Sequence, residues 1–325
     1  MLYRKPLISF YSIEEVFKII KNTLEGEVDF EEVYLPYDSN GLINKVRNIW
    51  FIKNLKCELL HITGEVYYSV LLYKGPFILT IHDIAEIFKG SILRKFLIKL
   101  FWYQLPANRS KAIAIVSDKS KNEFTSNIRV DYSKIRVINN PKAYDLSVRL
   151  NASKNKKFTI LQVGTKMNKN FDSLIEAVKG LDVHILIIGY INKEVQQELE
   201  ISNISYSNFI GLSRVDLLKM YEKSDLLAFI STYEGFGVPI IEAQAIGCPV
   251  ITSNVTSMPE VAGEGALLVD PFNVEEIRKG ILRIINEAEL REDLIQKGLE
   301  NVKRFDPKKI ANQYLEVYKE AFGEA

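Results

Sequence analysis

Apolar residues along this chain recur in short β-branched and aromatic runs separated by stretches of helical periodicity, an alternation that predicts parallel sheets covered by helices on both faces. In the first half the strand candidates are EEVYLPY, ELLHIT, FILTIHD, KAIAIVSD and IRVIN, with helices near 13–24, 42–54, 90–104 and 119–126. Around NNPKAYDLSVRLNASKNKK the periodicity lapses and polar residues collect, as in a linker. The alternation then restarts: FTILQVG, a helix from Phe171, VHILIIG, a helix from Lys193, SNFIG, a helix from Val215, DLLAFIS, a helix from Pro239, PVITS and ALLVD. From Asn273 onward the pattern is almost wholly helical, and Pro307 opens the last helix at a position where a missing N–H costs little. There is no short fixed-period repeat. The expected architecture is α/β, two Rossmann-like doubly wound domains facing across a cleft, the place where such sheets bind ligands. The first domain covers 1–150; the second covers 151–325 with the terminal helices, the last of them free to pack back on the first domain.

Length and composition fit that reading. A chain of 325 residues exceeds one small core, and 47% hydrophobic with 26% charged residues suits a globular protein. A formal net charge of +1 gives no electrostatic reason to expect nucleic acid. Cys57 and Cys248 are too few for a disulfide framework or a zinc knuckle, which fits a reducing cytosol. The N-terminal stretch breaks its apolar character with Arg4, Lys5, Pro6, Glu14 and Glu15, unlike a signal peptide, and no run reaches the roughly 18 apolar residues of a membrane span. A soluble, cytoplasmic protein is expected.

The chemistry concentrates in STYEGFGVPIIEAQAIGCPVITSN. A strand feeds the loop TYEGFG, and a helix starts near Val238 or Pro239, so first-turn N–H groups form an anion site. Gly235 and Gly237 remove side chains where a ligand must approach the backbone, and Pro239 is tolerated in a first turn. Glu234 precedes the helix and Glu242 lies about one turn inside it, so the two carboxylates can address different parts of one elongated ligand. A diphosphate at the helix start, with hydroxyl-bearing groups on either side, would use all of these features. The plainer reading is a solvated Glu234 and a Glu242 that complements the helix dipole.

These residues resemble the GT-B-fold retaining glycosyltransferases of family 4, the group 1 glycosyl transferases. Their signature of a Glu, seven residues and a second Glu appears as EGFGVPIIE, followed by AQAIGCPVITS and PEVAGEGALLVDP; the resemblance runs through most of Phe158 to Pro271. It implies the GT-B architecture, with an acceptor-binding first domain and a second domain that binds a nucleoside diphosphate sugar. It also implies that Glu234 contacts donor-sugar hydroxyls and Glu242 the ribose, while Gly235, Phe236, Gly237 and Val238 line the sugar and diphosphate. Upstream, VGTKMNKNFDSLIEAV resembles the family's first strand and helix of that domain, and Lys169 fits the basic residue that neutralises the departing diphosphate. Where the family commonly has a second basic residue after the strand's glycine, Gly164 is followed here by Thr165, with Lys166 as the candidate substitute.

Other positions extend this reading. His82 ends FILTIHD, where relatives carry a histidine near donor or acceptor, and it could polarise a hydroxyl. His61 and Gly64 end the preceding strand on the candidate acceptor side, and Arg4 could add positive charge there. His184 lies inside a strand and reads as structural. The stretch 89–111 carries Lys89, Arg94, Lys95, Lys99, Arg109 and Lys111 with no acidic residue, interleaved with aromatics, which suits peripheral contact with an anionic membrane or an ordinary domain helix with lysines in water.

The resemblance implies transfer of a glycosyl group, with retention, to a glycan or lipid-linked acceptor hydroxyl in cell-surface polysaccharide or glycolipid synthesis, at the inner face of the cell membrane. No D-x-D motif is present, so no metal and no cofactor are expected, and leaving-group charge falls to the helix start and Lys169. Front-face attack assisted by the departing phosphate is the preferred route to retention. Two other readings share the pattern: a nucleotide-sugar epimerase of similar architecture, and a non-catalytic sugar-nucleotide binder. A glycan phosphorylase would need a pyridoxal phosphate lysine, for which no motif is visible.

Overall fold

The computed structural model describes residues 1–5, 12–143 and 157–323. The chain divides into two compact units, Met1–Pro141 with Pro307–Ala325, and Lys142–Asp306. Most of the linker expected over 139–157, including the 150/151 boundary, lies outside the described residues.

In the first unit, β1 (Leu2–Tyr3), β2 (Val33–Tyr34), β3 (Leu60–Ile62), β4 (Phe77–Ile81), β5 (Ala112–Ile115) and β6 (Ile135–Val137) form a parallel sheet in the order β2-β1-β3-β4-β5-β6. Its helices are α1 (Ser12–Thr23), α2 (Leu42–Lys53), α3 (Ile92–Ile98), α4 (Leu105–Arg109) and α5 (Asp118–Asn127). β4 and β5 are buried along their whole length, as the unbroken apolar runs FILTI and AIAI require of strands covered on both faces. Successive side chains point to opposite faces, so Phe77, Leu79 and Ile81 join one core while Ile78 joins the other. The single helix expected over 90–104 is instead α3, a π-helical stretch Lys99–Gln104, and α4. Pro106 accounts for the change: it has no N–H, and its ring would clash with the carbonyl one turn back, so the ladder widens just before it.

In the second unit, β7 (Phe158–Val163), β8 (Val183–Ile188), β9 (Ser205–Phe209), β10 (Leu226–Phe229), β11 (Val250–Ser253) and β12 (Leu267–Val269) form a parallel sheet in the order β12-β11-β10-β7-β8-β9. The helices are α6 (Phe171–Val178), α7 (Lys193–Ile201), α8 (Arg214–Lys223), α9 (Val238–Ile246), α10 (Met258–Ala262), α11 (Val274–Asn286) and α12 (Ala288–Asn301). Capping side chains set where several begin: Asn192, Ser213 and Asn273 accept from the backbone N–H groups of Val195, Asp216 and Glu276. From β7 the chain steps outward to β8 and β9, then returns to β10 on the other side of β7. The loops leaving β7 and β10 therefore run in opposite directions and open a crevice at the sheet's carboxyl edge.

The last helix, α13 (Pro307–Phe322), belongs to the first unit. Its Tyr314 and Tyr318 are buried with Phe17 of α1, and Arg136 pairs with Glu320 at 2.7 Å.

Candidate functional site

The loop after β7 and the loop after β10 meet at the switch point of the second unit. The backbone N–H of Thr232 donates to the carbonyl of Asn168 at 2.8 Å, which ties the two loops together. Asn168 Nδ2 in turn donates to the Tyr233 carbonyl at 3.0 Å and to Glu234 Oε1 at 3.1 Å. Lys169 places its ammonium 2.6 Å from the same Oε1 and 4.4 Å above the Phe229 ring. Both side chains of the pair are less than one-fifth exposed, so water screens them only in part.

Glycine at 164 makes this placement possible. Its φ is +86°, and a Cβ there would lie 3.0 Å from Lys169 Cε, so the lysine stem occupies the space a side chain would take. Buried Gln162 donates to the Gly164 carbonyl at 2.9 Å, and Thr165 Oγ1 donates to the Tyr190 carbonyl at 2.5 Å. Thr165 thus anchors its own loop, while Lys166 is exposed at the loop's outer corner.

The second loop is held from below. Ser257 Oγ donates to the carbonyls of Glu234 and Phe236 at 3.0 and 2.9 Å, and the Glu234 N–H reaches Thr256 Oγ1 at 3.3 Å. Because a trans peptide points its C=O and N–H in opposite directions, turning the Phe236 carbonyl toward Ser257 turns the Gly237 N–H away from it. Gly237 is the residue before α9, with φ +111° and no side-chain cap, and Pro239 sits in the first turn. Pro239 has no N–H and Ile240 donates to the Gly237 carbonyl at 3.0 Å, so the Gly237 and Val238 N–H groups are the ones this helix start can offer an anion beside Lys169.

Glu242 lies on α9 at 4% exposure. Arg214 at the start of α8 donates to its Oε1, and Tyr221 donates to its Oε2 at 2.7 Å. Burial, and then the charge of Glu242, pushes the Tyr221 hydroxyl well above its ordinary pKa, which keeps it a donor. A carboxylate has about four lone-pair sites, so Glu242 can still accept from a ligand hydroxyl with both protein donors in place. The solvated Glu234 and simple dipole-complementing Glu242 of the plainer reading do not describe these contacts.

The second unit therefore brings together Gly164, Thr165, Lys169, Glu234, Gly235, Phe236, Gly237 and Val238 around one helix start, with Glu242 behind it. Phe236 is buried and packs edge-on against Phe305, so it contributes backbone rather than ring to the crevice. Asn168, Arg214, Tyr221 and Ser257 were not anticipated. Asn168, one residue before Lys169 in MNKNF, and Tyr221, amid the helical periodicity of LLKMYEK, offered little to mark them.

The first unit holds the remaining candidates. His82 follows β4 and its Nε2 donates to the Thr63 carbonyl at 2.8 Å, which leaves Nδ1 as the acceptor of a neutral ring. Burial pulls its pKa below the usual imidazole value, against the Thr63 hydrogen bond. Arg4 follows β1 and lies 3.4 Å from Glu14, and Gly64 follows β3. His61 differs from expectation. It is 3% exposed, with Nδ1 on the Tyr318 hydroxyl at 2.9 Å and Nε2 on Thr80 Oγ1 at 2.8 Å, so one ring nitrogen holds the last helix, the other holds β4, and neither is left to face an acceptor. His184 is held by Ser205 and Ser207, as a structural strand residue would be. Among the described residues no group of three or more His, Cys, Asp or Glu side chains is arranged to hold a metal ion, and no helix is long and apolar enough to cross a membrane.

Residues 147–301 match the family model described as "Glycosyl transferases group 1", a span that contains the whole β7–α9 constellation. These 155 of the 325 residues carry the group 1 glycosyl transferase segment. O-antigen chain mannosyltransferase B of Escherichia coli is 39% identical over 104 residues, which is 32% of this chain and 27% of that protein. O-antigen chain mannosyltransferase RfbU of Salmonella typhimurium is 28% identical over 307 residues, covering 91% of this chain and 82% of the relative. Among solved structures, Anabaena HepE in complex with UDP and glucose has a TM-score of 0.77 at 16% identity, covering 98% of each chain. With two parallel six-stranded sheets among the described residues, that likeness gives this chain the α/β GT-B architecture.

Proposed function

We propose that this chain is a group 1 glycosyltransferase and moves a sugar from a nucleoside diphosphate sugar to an acceptor hydroxyl with retention, in the synthesis of a cell-surface polysaccharide or glycolipid. The observation that carries the reading is the Lys169–Glu234 pair at the uncapped start of α9. An ammonium and open N–H groups suit the diphosphate, and a carboxylate beside them suits sugar hydroxyls. Glu242, with Arg214 and Tyr221 behind it, is assigned to the ribose. In the reaction the bond between the anomeric carbon and the diphosphate oxygen breaks, the acceptor oxygen bonds to that carbon on the same face, and the acceptor proton leaves with the phosphate. Lys169 and the helix start carry the leaving-group charge, so neither a metal nor a cofactor is assigned. His82, through Nδ1, is the candidate to orient the acceptor or donor hydroxyl.

The relatives named as O-antigen mannosyltransferases support a glycan acceptor and make a mannosyl donor the first to try. A lipid-linked acceptor would place the enzyme at the inner membrane face, with peripheral contact through residues 89–111. A thermal-shift screen of UDP-, GDP- and ADP-sugars, followed by transfer assays with and without EDTA, tests the reading. Stabilisation by one donor class and chelator-resistant transfer are expected. Complete loss of transfer in EDTA would overturn the metal-free assignment.

A further inference from the structure

We propose that Glu14 is an acceptor-binding residue of the first unit, its Oε2 accepting a hydrogen bond from a sugar hydroxyl of the glycan acceptor while Arg4 holds its Oε1. The proposal deepens the transfer reaction above and rests on that reading for placing the acceptor at the first unit.

β1 lies between β2 and β3, so the chain leaves β1 toward one edge of the sheet and β3 toward the other, and their carboxyl ends form the switch point of this unit. Arg4 follows β1 directly. The first turn of α1 rests on the loop after β3, where a Cβ at Gly64 would lie 3.4 Å from Ile13 Cδ1. Glu14 stands one turn before Phe17 and shares its side of the helix. Phe17 meets the His82 ring edge-on at a centroid distance of 6.3 Å. Burial dominates the lowered pKa of His82, and the charges of Asp83, Arg4 and Glu14 also reach the ring. Glu14 therefore belongs to the same edge of the sheet as His82.

The hydrogen bonding of Glu14 is incomplete. Arg4 Nε lies 3.4 Å from Oε1, and the two side chains are 25% and 17% exposed. Oε2 is buried and has no hydrogen-bond partner among the described residues. An ionised carboxylate can only accept, and a buried acceptor left unmade is costly, so a donor from a ligand has a place here. Asp83, the neighbouring acid, instead spends Oδ1 on the Ala85 N–H at 2.9 Å.

Charge and valence select the ligand. Arg4 offsets the charge of Glu14, so the pair favours neither an anion nor a cation. What this edge offers is a carboxylate lone pair and the accepting Nδ1 of a neutral His82, and acceptors of that kind suit the hydroxyl donors of a sugar ring.

The test applies saturation-transfer NMR to the full chain with methyl α-mannoside and methyl α-galactoside as probes, and measures transfer to the same glycosides from UDP-, GDP- and ADP-sugars. Wild type should give a signal with at least one probe. Glu14→Gln, which keeps the shape of the side chain, and Glu14→Ala should each weaken that signal and raise the glycoside KM about tenfold or more, with nucleoside diphosphate affinity and the urea midpoint close to wild type. Wild-type signal and KM in both variants, a fall in kcat and urea midpoint with KM unchanged, or no signal from wild type with either probe overturns the proposal. A Glu14-dependent signal in a chain that transfers no sugar would overturn the reaction and leave the sugar site standing.

Discussion

Lys169 and Glu234 come from loops 65 residues apart in sequence and meet at 2.6 Å beside the open start of α9. The pair is partly buried, so each partner sets the other's position before any ligand arrives. Glu234→Gln and Lys169→Ala should each lower transfer about tenfold to a hundredfold, as expected for a charged hydrogen bond of about 1.5 to 3 kcal/mol. Because they act as a unit, the double variant should lose much less than the product of the two. A double-mutant cycle on kcat/KM measures this; simple additivity would mean that the pair is not a working unit.

Gly164 is the backbone condition for that pair. Gly164→Ala forces a side chain into left-handed φ, at roughly 1–2 kcal/mol, and against the Lys169 stem. Urea unfolding should show a loss of that size, and titration should show weaker nucleoside diphosphate binding. A variant that loses stability but keeps full affinity would separate the glycine from lysine placement.

Glu242 depends on Tyr221 for one oxygen and Arg214 for the other. Tyr221→Phe removes a donor from a buried carboxylate and should cost about 1–3 kcal/mol in urea denaturation. With the ribose assigned to Glu242, donor KM should rise more than kcat falls. An unchanged KM would argue that Glu242 is structural.

Much of this was legible in the sequence for physical reasons. Parallel strands buried on both faces leave unbroken runs such as FILTI, and Gly235, Gly237 and Pro239 mark a loop and helix start by their backbone restrictions. The second carboxylate was also visible, whereas its tyrosine was not, since a hydroxyl on an apolar ring keeps the helical period. β1, two residues long, is too short to show any period. The sequence marked a helix over 42–54 but not which of its apolar residues face outward, because those on its outer side are indistinguishable in sequence from those on its inner side. His61 sits at the end of an apolar run whether it faces a ligand or, as here, the tyrosines of a helix more than 250 residues later.

His61 and His82 make the protein sensitive to acid. Burial holds both pKa values below the usual imidazole value, His61 well below, so the native state keeps them neutral. The unfolded chain takes up their protons first as pH falls through about 6.5. Their stabilising contribution is thus present above that pH and declines as pH falls toward the folded values. Urea midpoints across pH should show the decline, with a shallower slope in His61→Asn. A slope unaltered by that change would contradict the buried neutral ring.

Transfer is best measured by offering the purified chain a panel of nucleoside diphosphate sugars with an acceptor glycan, following nucleotide release and the anomeric configuration of the product together. Wild type should release one nucleoside diphosphate per sugar joined, with the donor's configuration kept, and Glu234→Ala should be slower by about tenfold or more. Transfer by Glu234→Ala at the wild-type rate would contradict the assignment of the donor sugar to this site.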